Sequence, residues 1–206
     1  GGRLDAFAAL ASLGVAPAPV PAPTAPLPAV PPVVVTSAVS LPFADEFTRT
    51  GSLAADWVCR IGSFEASAGA AVSTAAGASI ATLRGTAVTN SVQRALVSLG
   101  AGRSVGLVAC HAGPGDQSMV LAQLTRGRTG YVVQIFRHVG GRWALLSSGR
   151  VYASRGWLRL DVVAGQVTAR FNGRLVAAAA DRTLTAGSVG LRTVGFGARF
   201  EAYSAT

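Results

Sequence analysis

The run Gly156-Trp157-Leu158-Arg159-Leu160-Asp161-Val162-Val163-Ala164-Gly165-Gln166-Val167-Thr168-Ala169-Arg170-Phe171-Asn172-Gly173-Arg174-Leu175 decides the fold. Leu158, Leu160 and Val162 alternate with Arg159 and Asp161. Successive side chains of a strand point to opposite faces, so this pattern is a strand with one apolar and one polar face. Ala164-Gly165 and Asn172-Gly173 then interrupt the run. Asn-Gly is the strongest short hairpin signal, because both residues tolerate the positive φ of a type I′ turn. Similar runs recur on either side, at Trp57–Ser67, Ser79–Leu83, Val88–Leu99, Ser104–His111, Met119–Arg126, Gly130–His138 and Arg142–Arg150. Arg174–Ala180, Ser188–Thr193 and Ala198–Tyr203 follow, with Gly113-Pro114-Gly115-Asp116 and Gly140-Gly141 among the connections. Many short strands without a long helical period predict an all-β, two-sheet antiparallel sandwich.

Several anchors in order resemble the concanavalin A-like jelly rolls of the laminin-G, pentraxin and lectin/glucanase type. They begin with Phe43-Ala44-Asp45-Glu46-Phe47, then Leu53, Trp57 and Gly62-Ser63-Phe64. Ser104-Val105-Gly106-Leu107-Val108-Ala109, Gly156-Trp157-Leu158-Arg159-Leu160 and the hairpin Val167–Gly173 are similar to later strands of that family. Asp181–Leu184, Ala186-Gly187-Ser188-Val189-Gly190-Leu191 and Phe200 resemble its closing segment. The resemblance covers 43–206 and implies a jelly roll with Trp57 and Trp157 at core positions. It says little about function, since this fold hosts lectins, hydrolases, adhesion modules and spacers.

The residues before Phe43 are of another kind. Nine of the ten prolines lie there, eight of them between Pro17 and Pro32. Residues 1–14 carry Leu4, Phe7, Ala8 and Ala11 at helical spacing before Gly14, and predict a short helix or docking segment. Residues 15–42 form a proline-rich arm. Polyproline II is its expected state, and 17 residues of it reach roughly 50 Å. Its end, Val33 to Val39, reads as a strand, either the first of the domain's own sheet or one donated to an adjacent copy. An arm of this composition has no reason to hold one conformation alone in water, and a neighbouring subunit is the simplest support. Leu4, Phe7, Leu10, Val33, Val35 and Val39 are the candidate subunit contacts.

Half of the residues are apolar and only 13% are charged, a globular composition. No stretch approaches twenty uninterrupted apolar residues, so no membrane-spanning helix is expected. The net charge of +9 comes from arginine alone, 17 of them after residue 42 against eight carboxylates. The arginines are spread singly and no nucleic-acid motif accompanies them, so nucleic acid is not an expected partner. Cys59 and Cys110 are a candidate disulfide pair, as expected of a secreted sandwich.

Chemistry is marked mainly by absences. Glycoside hydrolysis needs two carboxylates flanking the bond, and the glucanases of this fold carry them on alternate strand residues. Here the glutamates are Glu46, Glu65 and Glu201, no such motif occurs, and the adjacent Asp45 and Glu46 point to opposite faces. His111 and His138 come without a nucleophile or orienting acid, so no enzyme is expected and the histidines read as surface or part-buried residues. No cofactor is expected either; calcium has only Asp116 and the Asp45/Glu46 pair as candidate ligands. Trp143, after Gly140-Gly141-Arg142, is the best candidate for an exposed ring against a glycan, with Tyr131 and Arg128 flanking it.

Two functions follow. In the first, the chain is a structural subunit of a secreted or surface assembly, whose arm docks onto the next copy to make a homopolymer. In the alternative, the sandwich is a lectin-like module for acidic or neutral polysaccharide, tethered by a proline-rich linker.

Overall fold

Strand propensity and period-two alternation recur along the chain, and the computed structural model, which describes residues 37–206, resolves them into sixteen strands. They are β1 (Phe43–Asp45), β2 (Gly51–Ser52), β3 (Trp57–Ile61), β4 (Phe64–Ser67), β5 (Ala70–Ser73), β6 (Ala78–Leu83), β7 (Ser91–Ser98) and β8 (Ser104–His111). Then come β9 (Ser118–Gly127), β10 (Gly130–Val139), β11 (Arg142–Val151), β12 (Arg155–Val163), β13 (Gln166–Phe171), β14 (Arg174–Ala180), β15 (Ser188–Val194) and β16 (Arg199–Ala205). All pair antiparallel, in two sheets. The nine-stranded sheet runs β14-β13-β12-β7-β16-β5-β4-β2, with β1 also on β16. The seven-stranded sheet runs β11-β10-β9-β8-β15-β6-β3. Among the described residues no helix is long and apolar enough to cross a membrane.

The hairpins form where the sequence signals them. Asn172 and Gly173 have φ of 49° and 82°, Ala164 and Gly165 50° and 76°, and Gly140 and Gly141 56° and 80°. Each pair has the double positive φ of a type I′ turn, which matches the twist of the strands it joins. The expected continuous strand Trp57–Ser67 is instead two strands in different sheets. Gly62 turns the corner between them at φ 59°, and a Cβ there would lie 2.4 Å from the Ser79 hydroxyl.

Leu158, Leu160 and Val162 of β12 meet Val105, Leu107 and Ala109 of β8 and Val133 and Ile135 of β10 in one core between the sheets, nearly all of them fully buried. Each such aliphatic side chain contributes about 1.5–3 kcal/mol on burial. Asp45 closes the start of the domain onto that core. Its carboxylate accepts from the Phe47 amide (2.8 Å), the Trp57 indole Nε1 (2.8 Å) and both Arg49 Nη atoms (2.9 and 3.0 Å). Burial pushes the Asp45 carboxyl up, but the Arg49, Trp57 and Phe47 hydrogen bonds outweigh it and hold it below the ordinary aspartate range. The Phe43–Trp57 opening pattern is therefore one physical unit, with Phe43, Phe47 and Tyr203 packed around the Trp57 ring.

A bulge marks the centre of the seven-stranded sheet. Ser188 faces His111, but Gly190 faces Val108, so β8 carries one residue more than β15 here, with Cys110 at φ 52°. Gln93, fully buried on β7 of the other sheet, fills the break. Its Nε2 donates to the Val108 carbonyl (3.0 Å), while its Oε1 accepts from the Gly190 amide (3.2 Å) and the Tyr203 hydroxyl (3.0 Å).

The predicted Cys59–Cys110 disulfide does not form: both thiols are free, Cys59 exposed and Cys110 buried. β3 and β8 are in the same sheet with β6 and β15 between them. Three strand spacings separate the two cysteines by roughly 14 Å, far beyond disulfide reach. Trp157 is likewise not a core residue. Strand alternation sends it outward with Arg159 and Asp161, opposite to Leu158. Residues 1–36, and with them Leu4, Phe7, Leu10, Val33 and Val35, lie outside the described residues. Val39 lies within them and is not in a strand; its amide donates to the Arg84 carbonyl (2.8 Å) and its side chain packs on the core of its own domain.

Candidate functional site

The outer face of the seven-stranded sheet carries a second apolar layer. Val108, Met119 and Leu121 alternate with core residues along β8 and β9, and with Ile80 they form a separate buried cluster flanked by Ile61 and Phe136. Solvent-side apolar residues of a sheet stay buried only if something covers them. Part of the cover is the 112–117 loop, held by two buried histidines. His111 Nε2 donates to the Gly115 carbonyl (2.7 Å) and His138 Nδ1 to the Asp116 carbonyl. Burial lowers the His111 pKa, against the opposing pull of the Gly115 hydrogen bond, so the ring is neutral at neutral pH.

Beside the loop, Trp143 on the edge strand β11 stacks parallel on His138, with 4.1 Å between ring centroids, and meets the Phe136 ring edge-on at 5.9 Å. It keeps 42% of its surface exposed. The Arg192 guanidinium, reaching from β15, lies 4.9 Å from the Trp143 centroid. Arg192 is 9% exposed, makes no ion pair among the described residues, and its Nε has no hydrogen-bond partner. A buried cation without a carboxylate against it is costly, and burial accordingly lowers its pKa, with Asp116 opposing from a distance. The two side chains bound a cleft of about 360 Å³, lined further by Arg103, Gln123, Thr125 and Phe136. No carboxylate lines it.

Of the sequence candidates, only Trp143 is at this cleft. Tyr131 pairs with Arg126 and Val151, at the far end of the hairpin whose near end pairs His138 with Trp143. Seven residues of strand separate these ends by roughly 24 Å. Tyr131 also faces inward, packed on the core, and Arg128 is exposed in the turn beside it. Arg192 and Gln123 escaped the sequence reading. The available signal was a lone polar residue inside an apolar strand, Val189-Gly190-Leu191-Arg192 and Leu121-Ala122-Gln123-Leu124.

No protein-family model matches the chain, and no curated protein does. Solved structures do match it. A carbohydrate-binding module CBM66 from Bacillus subtilis superposes with a TM-score of 0.63 at 13% identity, covering 74% of this chain and 95% of that one. The Emp47p carbohydrate recognition domain gives 0.58 at 10% identity over 82% and 96% of the two chains. The kappa-carrageenase of Pseudoalteromonas carrageenovora gives 0.54 at 10% identity over 79% and 92%. This domain has a concanavalin A-like jelly-roll fold. At these identities the likeness carries the fold alone. In this jelly roll the Trp143–Arg192 cleft lies on the outer face of the seven-stranded sheet.

Proposed function

We propose that the jelly roll is a carbohydrate-binding module, acting outside the cell or at its surface, that holds sugar units over the seven-stranded sheet without cleaving them. The observation that carries this reading is Arg192, buried with an unpartnered Nε beside the half-exposed Trp143 in an open cleft. Hydroxyl or carboxylate oxygens of a sugar would satisfy that cation, and the Trp143 ring would meet the apolar C–H groups of a pyranose or furanose. Gln123, Arg103 and Thr125 add donors and acceptors along the cleft. The absence of a carboxylate from its lining supports binding rather than hydrolysis, which needs two flanking the bond. Two of the structural neighbours, a carbohydrate-binding module and a carbohydrate recognition domain, favour the same reading. The alternative role as an assembly subunit rests on arm residues outside the described ones and on Val39, which packs on its own domain.

Affinity electrophoresis of the full chain through gels containing neutral and acidic polysaccharides tests it. Retardation by at least one polysaccharide is expected, with affinity reduced at least tenfold in Trp143→Ala and in Gln123→Ala. Retardation by none of a broad panel, or binding unchanged in both variants, would overturn it.

A further inference from the structure

The outer face of the nine-stranded sheet, on the opposite side of the sandwich from the Trp143 cleft, carries an arginine row. The register sets Arg159 of β12 directly opposite Arg94 of β7 on one side and directly opposite Arg170 of β13 on the other. The three therefore stand side by side on adjacent strands, spanning about 10 Å from the first to the last backbone. Like charges directly opposite each other across strands are destabilising. Only one is neutralised: Arg159 Nε donates to Asp161 Oδ1 at 2.7 Å, and neither Arg94 nor Arg170 has an ion-pair partner among the described residues. The Arg94 guanidinium is fixed over the Trp157 ring, 3.8 Å from its centroid, so its donors are held in place before any ligand arrives. With Asn172 at the rim, these residues surround a cleft of about 690 Å³, roomier than the one at Trp143.

We propose that this cleft is a second binding site, specific for the anionic groups of an acidic polysaccharide. Guanidinium forks pair with carboxylate or sulfate oxygens through two parallel hydrogen bonds, and a row of them would meet successive charged groups along a polymer. Such a ligand supplies the negative charge that the row lacks. Nucleic acid fits less well. The Trp157 face that a base would stack on is covered by Arg94, and among the described residues there is no helix to enter a groove. The site stands independently of the Trp143 cleft, whose variants leave it intact.

Binding of the full chain to polygalacturonate (carboxylate) and to dextran sulfate (sulfate), with neutral dextran and a DNA duplex alongside, tests the assignment by titration at low salt. At least one polyanion is expected to bind, with affinity falling at least tenfold in Arg94→Gln/Arg170→Gln and staying within twofold in Trp143→Ala. The double variant should shift the thermal midpoint by only a few degrees, since relief of repulsion in the row offsets the lost contact of Arg94 with the Trp157 ring. Arg150→Gln/Arg182→Gln, which removes the same charge from exposed positions elsewhere, should lose less than twofold. An equal loss in that control would reduce the attraction to net charge and overturn the site. DNA binding as tight as the polysaccharides, and equally lost in the cleft variant, would overturn the ligand class.

Discussion

Gln93 is the residue on which both sheets depend. Its amide satisfies a carbonyl and an amide left by the β8 bulge, together with a tyrosine hydroxyl, all in a dry core. Leucine at this position matches in volume but leaves these groups unpaired, and each buried orphan costs about 1–3 kcal/mol. Gln93→Leu is therefore expected to destabilise the fold by roughly 3 kcal/mol or more, read as a lower urea midpoint with unchanged slope. Nothing local in Val92-Gln93-Arg94 announces this role. A glutamine alternating with Ala95 and Val97 is visible as a polar residue on an apolar face, but its partners come from strands 15, 97 and 110 positions away in sequence. Arg192 is legible to the same partial degree: its strand marks it as anomalous, and only the folded sheet brings it to Trp143.

At the scale of elements, the 112–117 loop is expected to respond to pH through the histidines that hold it. It lies over the outer apolar layer, Gly115 close to Ile61, and its attachment is through the His111 and His138 hydrogen bonds to backbone carbonyls. His111 has its pKa lowered in the fold from 6.5, so the neutral ring is the folded form. As pH falls below about 6.5 the unfolded or undocked chain takes up a proton that the docked one does not, and the stability from this group is progressively lost. Hydrogen exchange of the 112–117 amides, corrected for the intrinsic pH dependence, should show lower protection at pH 5 than at pH 8. His111→Gln, which can still donate to Gly115, should flatten that difference. The hairpins are the opposite case. Asn172-Gly173 and Gly140-Gly141 were readable from composition because asparagine and glycine adopt positive φ readily, whereas at Ala164-Gly165 only the glycine does and the hairpin holds Ala164 at φ 50°.

On the scale of the whole molecule, the sixteen described strands of the sandwich lie within residues 43–205, and its first described contacts, Val39 to Arg84 and Ala38 beside Gly85, precede the first of them. A chain beginning at Ser37 is expected to unfold at the same temperature as the full chain, whereas one beginning at Leu41 loses the Val39 contacts and about 1 kcal/mol. Light scattering on the full chain and on 37–206 also tests assembly through the arm: larger species in the full chain alone would establish it. By itself the sequence determined which face of an alternating strand such as β12 is buried, because alternation is set by the pleat, and where most hairpins turn, because glycine and asparagine carry their own backbone preferences. Trp143 could be singled out for the same local reason, a ring beside a glycine turn. Tertiary structure alone decided which distant strands lie side by side. β7 sits between β12 and β16, and β15 between β8 and β6, through connections that no local pattern specifies. Those pairings are selected by closing one core from both sheets at once. They separate Cys59 from Cys110 and place three arginines in a row.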